Sequence, residues 1–588
     1  MKVKSIVPPD GGINKYLPNH LIPDNSWITG NNIYFGVGFL EKCHGWIKFM
    51  TNPLSEGIRN IDNYYKYNGD AYLMFITNNK IYKYNDNDGN VSDLFIPPTW
   101  EALNPVSKDD TTTYANFCIP TVSNGHYYKC TTNGTTGSTQ PTWPINGTTV
   151  TDGSAVWTDM GLLSSMSGTN DKPIFAENAE DKFIITNYVD NIKYWNGSND
   201  IIRDLSGTNE LEGYAGSNHT LKAKCMLYSN GFLILGHTEE DGKTYPQRIR
   251  WSQYGNIEKW INEIDGSGQA GAADLTEGVD WVQRILPLNN YVIVYKERSI
   301  QVLSYVGGDL IWDKRPAIIG TGLLAPKAII DLGDEHIFIG PDNIYSFDLI
   351  EPKIAGDDIG QYFFRELLNP TYAHRIETFF IEEVPEAWFV FASIESDDGT
   401  LDKAIVYNTD TKKWSIRDMP MTAFGYYNIQ ETTTYNDLTD VSFDEANFIF
   451  DTTTKLSNSP LNICGDSQGY IYKFDGTSKD GQDMGCSVVS KLFDLDNPGI
   501  LKRLMRIQLM VSREEEYNLR VYVGTADNVD EPITWHGPYN MLLSQSKPPW
   551  VDVDLTSRYF CVKFETLGKN QPFKLTGYNL WYEERSNL

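Results

Sequence analysis

The chain has 588 residues, room for about three or four domains or for one large β domain with appendages. Hydrophobic residues make up 40% and aromatic residues 13%, enough to build real cores and to exclude wholesale disorder. The 49 basic and 77 acidic residues give a formal net charge of −28. That excludes the basic footprint a duplex-DNA binder needs and docking on anionic lipid, yet it suits a wall past which DNA moves without sticking.

The opening stretch Met1–Pro9 lacks the apolar core of a signal peptide. No apolar run approaches the ~18 residues of a transmembrane helix, so no membrane span is expected. Seven cysteines, at 43, 118, 130, 225, 464, 486 and 561, form no Cys-x-x-Cys pair and imply neither a zinc knuckle nor a disulfide framework. A reducing folding compartment fits them best.

Along the chain one unit recurs: a short apolar strand, a polar turn, and a strand of alternating aromatics ending in Asn, Asp or Gly. The first copy joins Tyr72–Ile76 to Ile81–Tyr84, and the next joins Lys182–Ile185 to Ile192–Gly197. Phe232–Leu235 with Arg248–Ser252, Tyr291–Tyr295 with Ile300–Leu303, and His336–Ile339 with Ile344–Phe347 follow. Trp388–Phe391 with Ala404–Tyr407 and Asn462–Cys464 with Tyr470–Gly476 complete the series. Each reads as a hairpin with period-2 alternation. Most copies start roughly 45–60 residues apart, the interval of propeller blades. A single blade cannot bury both faces and a ring of blades can, so the expected fold is all-β, a β-propeller; a long sandwich meander is the alternative.

The longest interval between units holds a different block, residues 111–162, with tight glycine turns and two spaced tryptophans. It reads as a small β module inserted in a blade loop, where insertions are tolerated. Beyond residue 486 the repeats stop and longer strands appear at Leu504–Val511, Tyr517–Val523, Tyr559–Phe564 and Leu575–Tyr582, as in a β-sandwich or a closing sheet. The expected division is therefore 1–50 as an extended arm with the first strands, 51–110 as the propeller start, 111–162 as the insert, 163–485 as the propeller continuation, and 486–588 as the C-terminal region. Helix signals are sparse; Gln361–Leu368 and the Leu501–Leu504 turn are the best short candidates.

Few motifs carry chemistry. Gly266–Gly271 matches Gly-x-Gly-x-x-Gly but follows no strand and opens no βαβ unit, so it reads as a loop. Gly236 and Gly242-Lys243-Thr244 resemble a P-loop with one residue too many and read as a hairpin tip. Asp86–Asn90 could offer oxygens to calcium but lacks the downstream bidentate glutamate, which leaves an Asx-rich turn. The eight histidines show no His-Glu-x-x-His, and no Gly-x-Ser-x-Gly elbow occurs. Acidic clusters (Asp357-Asp358, Glu382-Glu383, Glu395, Asp397-Asp398, Glu514–Glu516) are plentiful, but only a pair held ~5–9 Å apart across a sugar would make a glycosidase. No catalytic, cofactor-binding or metal-ligating residue is assigned. In the insert, Tyr128, Trp143 and Trp157 could stack on sugar rings, or form the module's core; Trp157 follows Ala155-Val156 on a strand, whereas Trp143 sits on a loop.

The N-terminal segment carries the most specific pattern. It runs Gly11-Gly12-Ile13-Asn14, Leu21-Ile22-Pro23-Asp24-Asn25-Ser26-Trp27, Asn31-Asn32-Ile33-Tyr34-Phe35, and Glu41-Lys42-Cys43-His44-Gly45-Trp46. This resembles the opening of tail nozzle proteins of short-tailed phages, also called tail tubular protein B or packaged-DNA stabilisation proteins. Cys43-His44 departs mildly from the basic or small residues the family often has there. Arg248–Gly255 before Trp260, Ser299–Val302 followed by Gly320–Pro326, Phe338–Gly340, and Ser557–Phe560 are similar to later family segments and occur in the same order. The insert resembles a small module of phage tail and fibre proteins.

The resemblance implies a propeller with extra β domains, and assembly as a homohexameric ring below the portal and its adaptor proteins. It implies a virion tail component, assembled in the host cytoplasm, that retains packaged DNA and conducts it out at infection without sequence-specific binding, in the neighbourhood of tail fibres. It implies no enzyme activity and no cofactor, and it transfers no gate residue. The Gly-Pro-rich stretch Pro8–Pro23 reads as an extended arm that reaches a neighbouring subunit. The alternatives are a tail adhesin binding host-surface glycan through the insert, and a tail glycan hydrolase.

Overall fold

The computed structural model describes residues 1–585 except 86–88, 96, 110–115, 164–165, 198–200, 206–209, 217–218, 263–268, 309, 428–459, 477, 513–515, 545–548, 570 and the side chain of Leu162. Among the described residues, seven consecutive antiparallel sheets of four strands, one with an added short strand, form the blades of a β-propeller. Blade 1 runs Asn60–Tyr65, Ala71–Ile76, Ile81–Tyr84 and Val91–Asp93, and blade 2 runs Phe175–Ala179, Lys182–Thr186, Lys193–Trp195 and Arg203–Asp204. Blade 3 is Leu221–Ser229, Phe232–Glu240, Lys243–Trp251 and Gly271–Asp274; blade 4 is Val282–Leu288, Tyr291–Lys296, Ser299–Tyr305 and Trp312–Lys314, with Ile318–Ile319 added. Blade 5 comprises Ile329–Asp331, His336–Ile339, Ile344–Phe347 and Lys353–Ile354, and blade 6 Glu377–Ile381, Glu386–Phe391, Lys403–Asn408 and Lys413–Asp418. Blade 7 takes three strands from its own stretch, Ala423–Tyr427, Leu461–Gly465 and Ile471–Phe474, and its fourth, Trp46–Lys48, from the N-terminal region.

That borrowed strand closes the ring, because the first strand of blade 7 lies against the first strand of blade 1. All seven hairpins read from the sequence are the middle strands of these seven blades. Their turns use the residues that tight hairpins demand. Asn230 and Gly231 both sit at positive φ, 52° and 80°, between the first two strands of blade 3.

The apolar cores lie between blades. Trp388, Phe424 and Tyr472 pack blades 6 and 7 together, and Phe75 with Ile463 joins blade 7 to blade 1. Tyr64, Phe183 and Trp195 join blade 1 to blade 2. This is the expected solution for sheets that each have two apolar faces.

The second body is a β-sandwich. One sheet orders Ile33–Gly36, Phe39–Lys42, Lys574–Arg585, Leu501–Val511 and Trp550–Ser557, with Lys2–Ile6 also paired to Lys574–Arg585. The other orders Trp27–Asn31, Cys486–Ser490, Tyr559–Thr566, Tyr517–Ala526 and Thr534–Leu543. Their inner faces bury Trp27, Phe35, Ile507, Val521, Phe564 and Leu580 in a core continuous with that of blades 4 to 6. Both chain ends therefore build the sandwich.

Three sequence expectations meet the coordinates here. Leu501–Leu504 is no helical turn but the start of the long strand Leu501–Val511, its Leu504 buried against the opposite sheet. Gln361–Leu368 does form short helical turns, Gly360–Tyr362 running into Phe363–Leu367. Pro8–Pro23 is tied to its own chain at several points: Ile13 N–H donates to Trp414 O (3.1 Å), Lys15 N–H to Asp358 O (2.7 Å), and Trp27 Nε1 to Pro9 O (2.8 Å).

Candidate functional site

Blade and loop geometry disposes first of the chemical candidates. The P-loop-like residues form the hairpin tip at Asp241-Gly242 in blade 3, both at positive φ. Residues 266–268 of the Gly-x-Gly-x-x-Gly stretch, residues 86–88 of the Asx-rich turn, and Glu514-Glu515 lie outside the described residues. The acidic clusters that are described serve local structure. Asp398 Oδ1 accepts from Thr400 N–H (2.9 Å) and Ser396 Oγ (3.3 Å), and Asp358 Oδ1 accepts from Asn14 Nδ2 (2.7 Å). Glu382, Glu383, Glu395 and Asp397 are exposed on blade 6 turns. Among the described residues no group of three or more His, Cys, Asp or Glu is placed to hold a metal ion, and the seven cysteines are buried free thiols.

The insert follows the last strand of blade 1 and precedes the first of blade 2. Its sheet orders Phe117–Cys118, His126–Thr132, Ala155–Leu162 and Thr149–Asp152. The three rings offered for sugar stacking sit together in the module's own core. Tyr128 is 0% and Trp157 1% exposed, and Trp143, half-buried, closes over them with ring centroids 4.2 Å from Tyr128 and 6.1 Å from Trp157. Tyr128 Oη donates to Pro144 O (2.8 Å). Asp152, itself buried, accepts from Trp100 Nε1 (2.7 Å), Trp157 Nε1 (3.2 Å) and Gly137 N–H (2.7 Å). Tyr128 and Trp157 therefore leave no open ring face for a sugar, while Trp143 keeps part of its surface exposed.

Where the first strands of the blades converge, the propeller axis carries charges that sequence reading missed. A cavity of about 310 Å³ there is bordered by Asp62, Asn63, Arg284, Asp331 and Tyr426. Arg284 stacks on Phe175, 3.9 Å from guanidinium carbon to ring centre, and its Nη1 has no hydrogen-bond partner. Nearby, Lys327 Nζ donates to both Glu377 oxygens at 3.0 Å. Burial pushes the Asp62 carboxyl up to about 6; burial together with the charge of Asp62 pushes Glu177 up to about 8. These residues lie on or beside short first strands of three to seven residues separated by scores of positions, and only ring closure brings them together. Hydrogen bonds such as Asn178 Nδ2 to Asn63 O (2.8 Å) tie neighbouring first strands together beside this cavity.

The broadest functional feature is the distribution of charge. Residues 51–485, which hold the blades and the insert, carry 61 acidic and 32 basic residues, a net of −29. Residues 1–50 and 486–588, which build the sandwich and the closing strand, carry 16 acidic and 17 basic residues, a net of +1. One body is strongly anionic and the other neutral.

No protein-family model matches the chain, and no curated protein matches it. Solved structures do. Virginiamycin B lyase from Staphylococcus aureus is similar over 73% of this chain and 97% of its own, at 10% identity and a TM-score of 0.34. The WD40 domain of Neurospora crassa Pan2 is similar over 65% and 99%, at 7% identity and a TM-score of 0.28. An exo-β-1,3-galactanase from Phanerochaete chrysosporium is similar over 71% and 96%, at 7% identity and a TM-score of 0.26. At these scores none of them carries an argument about chemistry. The propeller assignment rests on the strand pairing above.

Proposed function

We propose that this chain is the repeating subunit of a tail nozzle in a short-tailed phage, a hollow ring that retains packaged DNA and conducts it out at infection. The observation that carries the reading is the segregation of charge, −29 on the propeller and insert against +1 on the sandwich and closing strand. An anionic body repels phosphates at short range, and a neutral body can dock to its neighbours without that repulsion. The order of N-terminal and blade motifs supports the same reading. In this proposal the conduit is the space enclosed between copies, not the axis of a single propeller. In this reading the role is structural; the described acidic clusters are bound into turns or lie exposed on them.

The test is immunogold electron microscopy of the parent virions with antibody against this chain. Label on the tail axis below the portal is the expected result. Label on peripheral fibres would favour a host-glycan adhesin, and absence of label, with the epitope shown accessible, would refute the virion role. A functional arm replaces exposed acids of blade 6, Glu382 and Glu383 or Asp397 and Asp398, with lysine. If those loops border the conduit, DNA ejection slows in the variant particles.

A further inference from the structure

Among the described residues, no other element of the chain is paired across the outer face of one sandwich sheet. In the sheet containing Lys574–Arg585, side chains alternate strictly: Tyr578, Leu580 and Tyr582 are buried, while Asn579 and Trp581 point the other way. The neighbouring strands repeat the pattern, with Ile507 and Leu509 inward and Gln508 and Met510 outward. Register then fixes the outer surface. Val3 stands opposite Trp581, and Gln508 stands between Asn579 and Trp550. Met510 is 40%, Trp550 40%, Val3 46% and Val7 57% exposed, a grouping of apolar side chains from three strands and the residue that follows one of them. Gln508, Asn579 and Arg506, whose guanidinium lies 4.8 Å from the Trp550 ring centre, share this face, and exposed apolar side chains grouped among polar ones mark an interaction site.

The charges around it indicate what covers it. Arg503 pairs with Asp554 at 2.5 Å and Arg506 with Asp552 at 2.6 Å, so the flank carries both signs in equal number. Those pairs are satisfied within the chain, so the face brings no net charge to a contact with a different face of a neighbouring copy. At the scale of the chain, two copies meet the least repulsion when their neutral sandwiches approach and their propellers, at −29 each, stay apart.

We propose that this outer sheet face is where a second copy of the chain docks, sandwich to sandwich, with Trp550 and Met510 buried in the contact. The inference rests on the nozzle reading for its closed ring and adds the surface through which copies meet.

The experiment is sedimentation velocity on the full-length chain, as wild type, as Trp550→Glu, as Met510→Glu, and as Ile350→Glu. The last substitution places the same charge at a 76% exposed position on the propeller. Near-ultraviolet circular dichroism and thermal unfolding confirm that each variant is folded; the positions are solvent-exposed, and Met510→Gln is the milder substitute if Met510→Glu is not. Wild type and Ile350→Glu are expected to sediment as the same oligomer. Trp550→Glu and Met510→Glu are expected to weaken association by about 30-fold or more, the loss typical of a central aromatic or apolar anchor. Folded sandwich variants that assemble like wild type would overturn the proposal while leaving the nozzle reading standing. A wild-type chain that stays monomeric at every concentration would also overturn it and assign the face to a different virion protein, with the nozzle reading then judged by the particle labelling alone.

Discussion

At the scale of single residues, Asp152 holds the insert together. It is 3% exposed and accepts three hydrogen bonds, two from tryptophan indoles and one from a glycine N–H. Removing the carboxylate strands those donors in the interior, where each unmet group costs about 1–3 kcal/mol. Asp152→Ala should therefore destabilise the insert by roughly 2–4 kcal/mol, read as an early change in tryptophan fluorescence ahead of propeller melting. Glu177 makes a second prediction, with a definite sign. In an unfolded chain its proton leaves near pH ~4.3, whereas in the fold its carboxyl is pushed up to about 8. Between those values the folded state binds the extra proton, so stability falls as pH rises through the interval. Asp62, pushed up to about 6, acts in the same direction below that value. The groups that face Glu177 are the carboxyl of Asp62, the guanidinium of Arg284 and the backbone N–H of Tyr228. Glu177→Gln should raise the melting temperature relative to wild type near pH ~9 and leave it unchanged near pH ~5, with about 1–3 kcal/mol between the extremes. An equal shift at both pH values would refute the assignment. Neither residue was legible as important in the sequence, because an acid on a strand shows its burial only once the partner strands are placed.

At the scale of elements, what alternates locally was legible and what pairs at long range was not. Every blade's central hairpin could be read from period-2 patterning and turn residues, since both signals lie within about twenty residues. The closing strand Trp46–Lys48 pairs with Tyr472–Phe474, more than four hundred positions away, and nothing in its three residues names that partner. The Leu501–Leu504 expectation missed for a related reason. Charged and apolar residues mix there because one side of the strand faces the core and the other faces water, a pattern too short to separate from one helical turn. The closure carries its own prediction at Gly45, just before the strand. A Cβ on that residue would lie 1.9 Å from the Ser478 carbonyl oxygen, a backbone atom that cannot swing away. Gly45→Ala must push the closing strand off blade 7, exposing Trp46, which is 5% exposed in the closed ring. The expected cost is roughly 1–3 kcal/mol of stability, with new protease cleavage near residue 46. A variant with wild-type melting and cleavage would show that the ring does not depend on this strand.

At the scale of the whole molecule, net charge was legible at once and its placement was not, because the sandwich draws on both ends of the chain. Only when residues 1–50 and 486–588 are seen to build the sandwich together with the closing strand does the −28 resolve into −29 and +1. That division fixes how association should respond to salt. If copies met through opposite charges, added salt would weaken them, as it weakens contacts with nucleic acid. Here the contact is an apolar sheet face with internally paired arginines and aspartates, and the long-range term between two propellers is repulsive. Shortening the Debye length from about 30 Å at 0.01 M salt to about 8 Å at 0.15 M removes most of that repulsion while leaving apolar burial intact. Self-association should therefore tighten as sodium chloride rises across that range, and the tightening should vanish once the Trp550→Glu substitution has removed the contact. Sedimentation velocity at the two salt concentrations measures it directly. Weaker association at the higher concentration would mean that copies are held by charge, and that the anionic propellers, not the neutral sandwiches, make the contact.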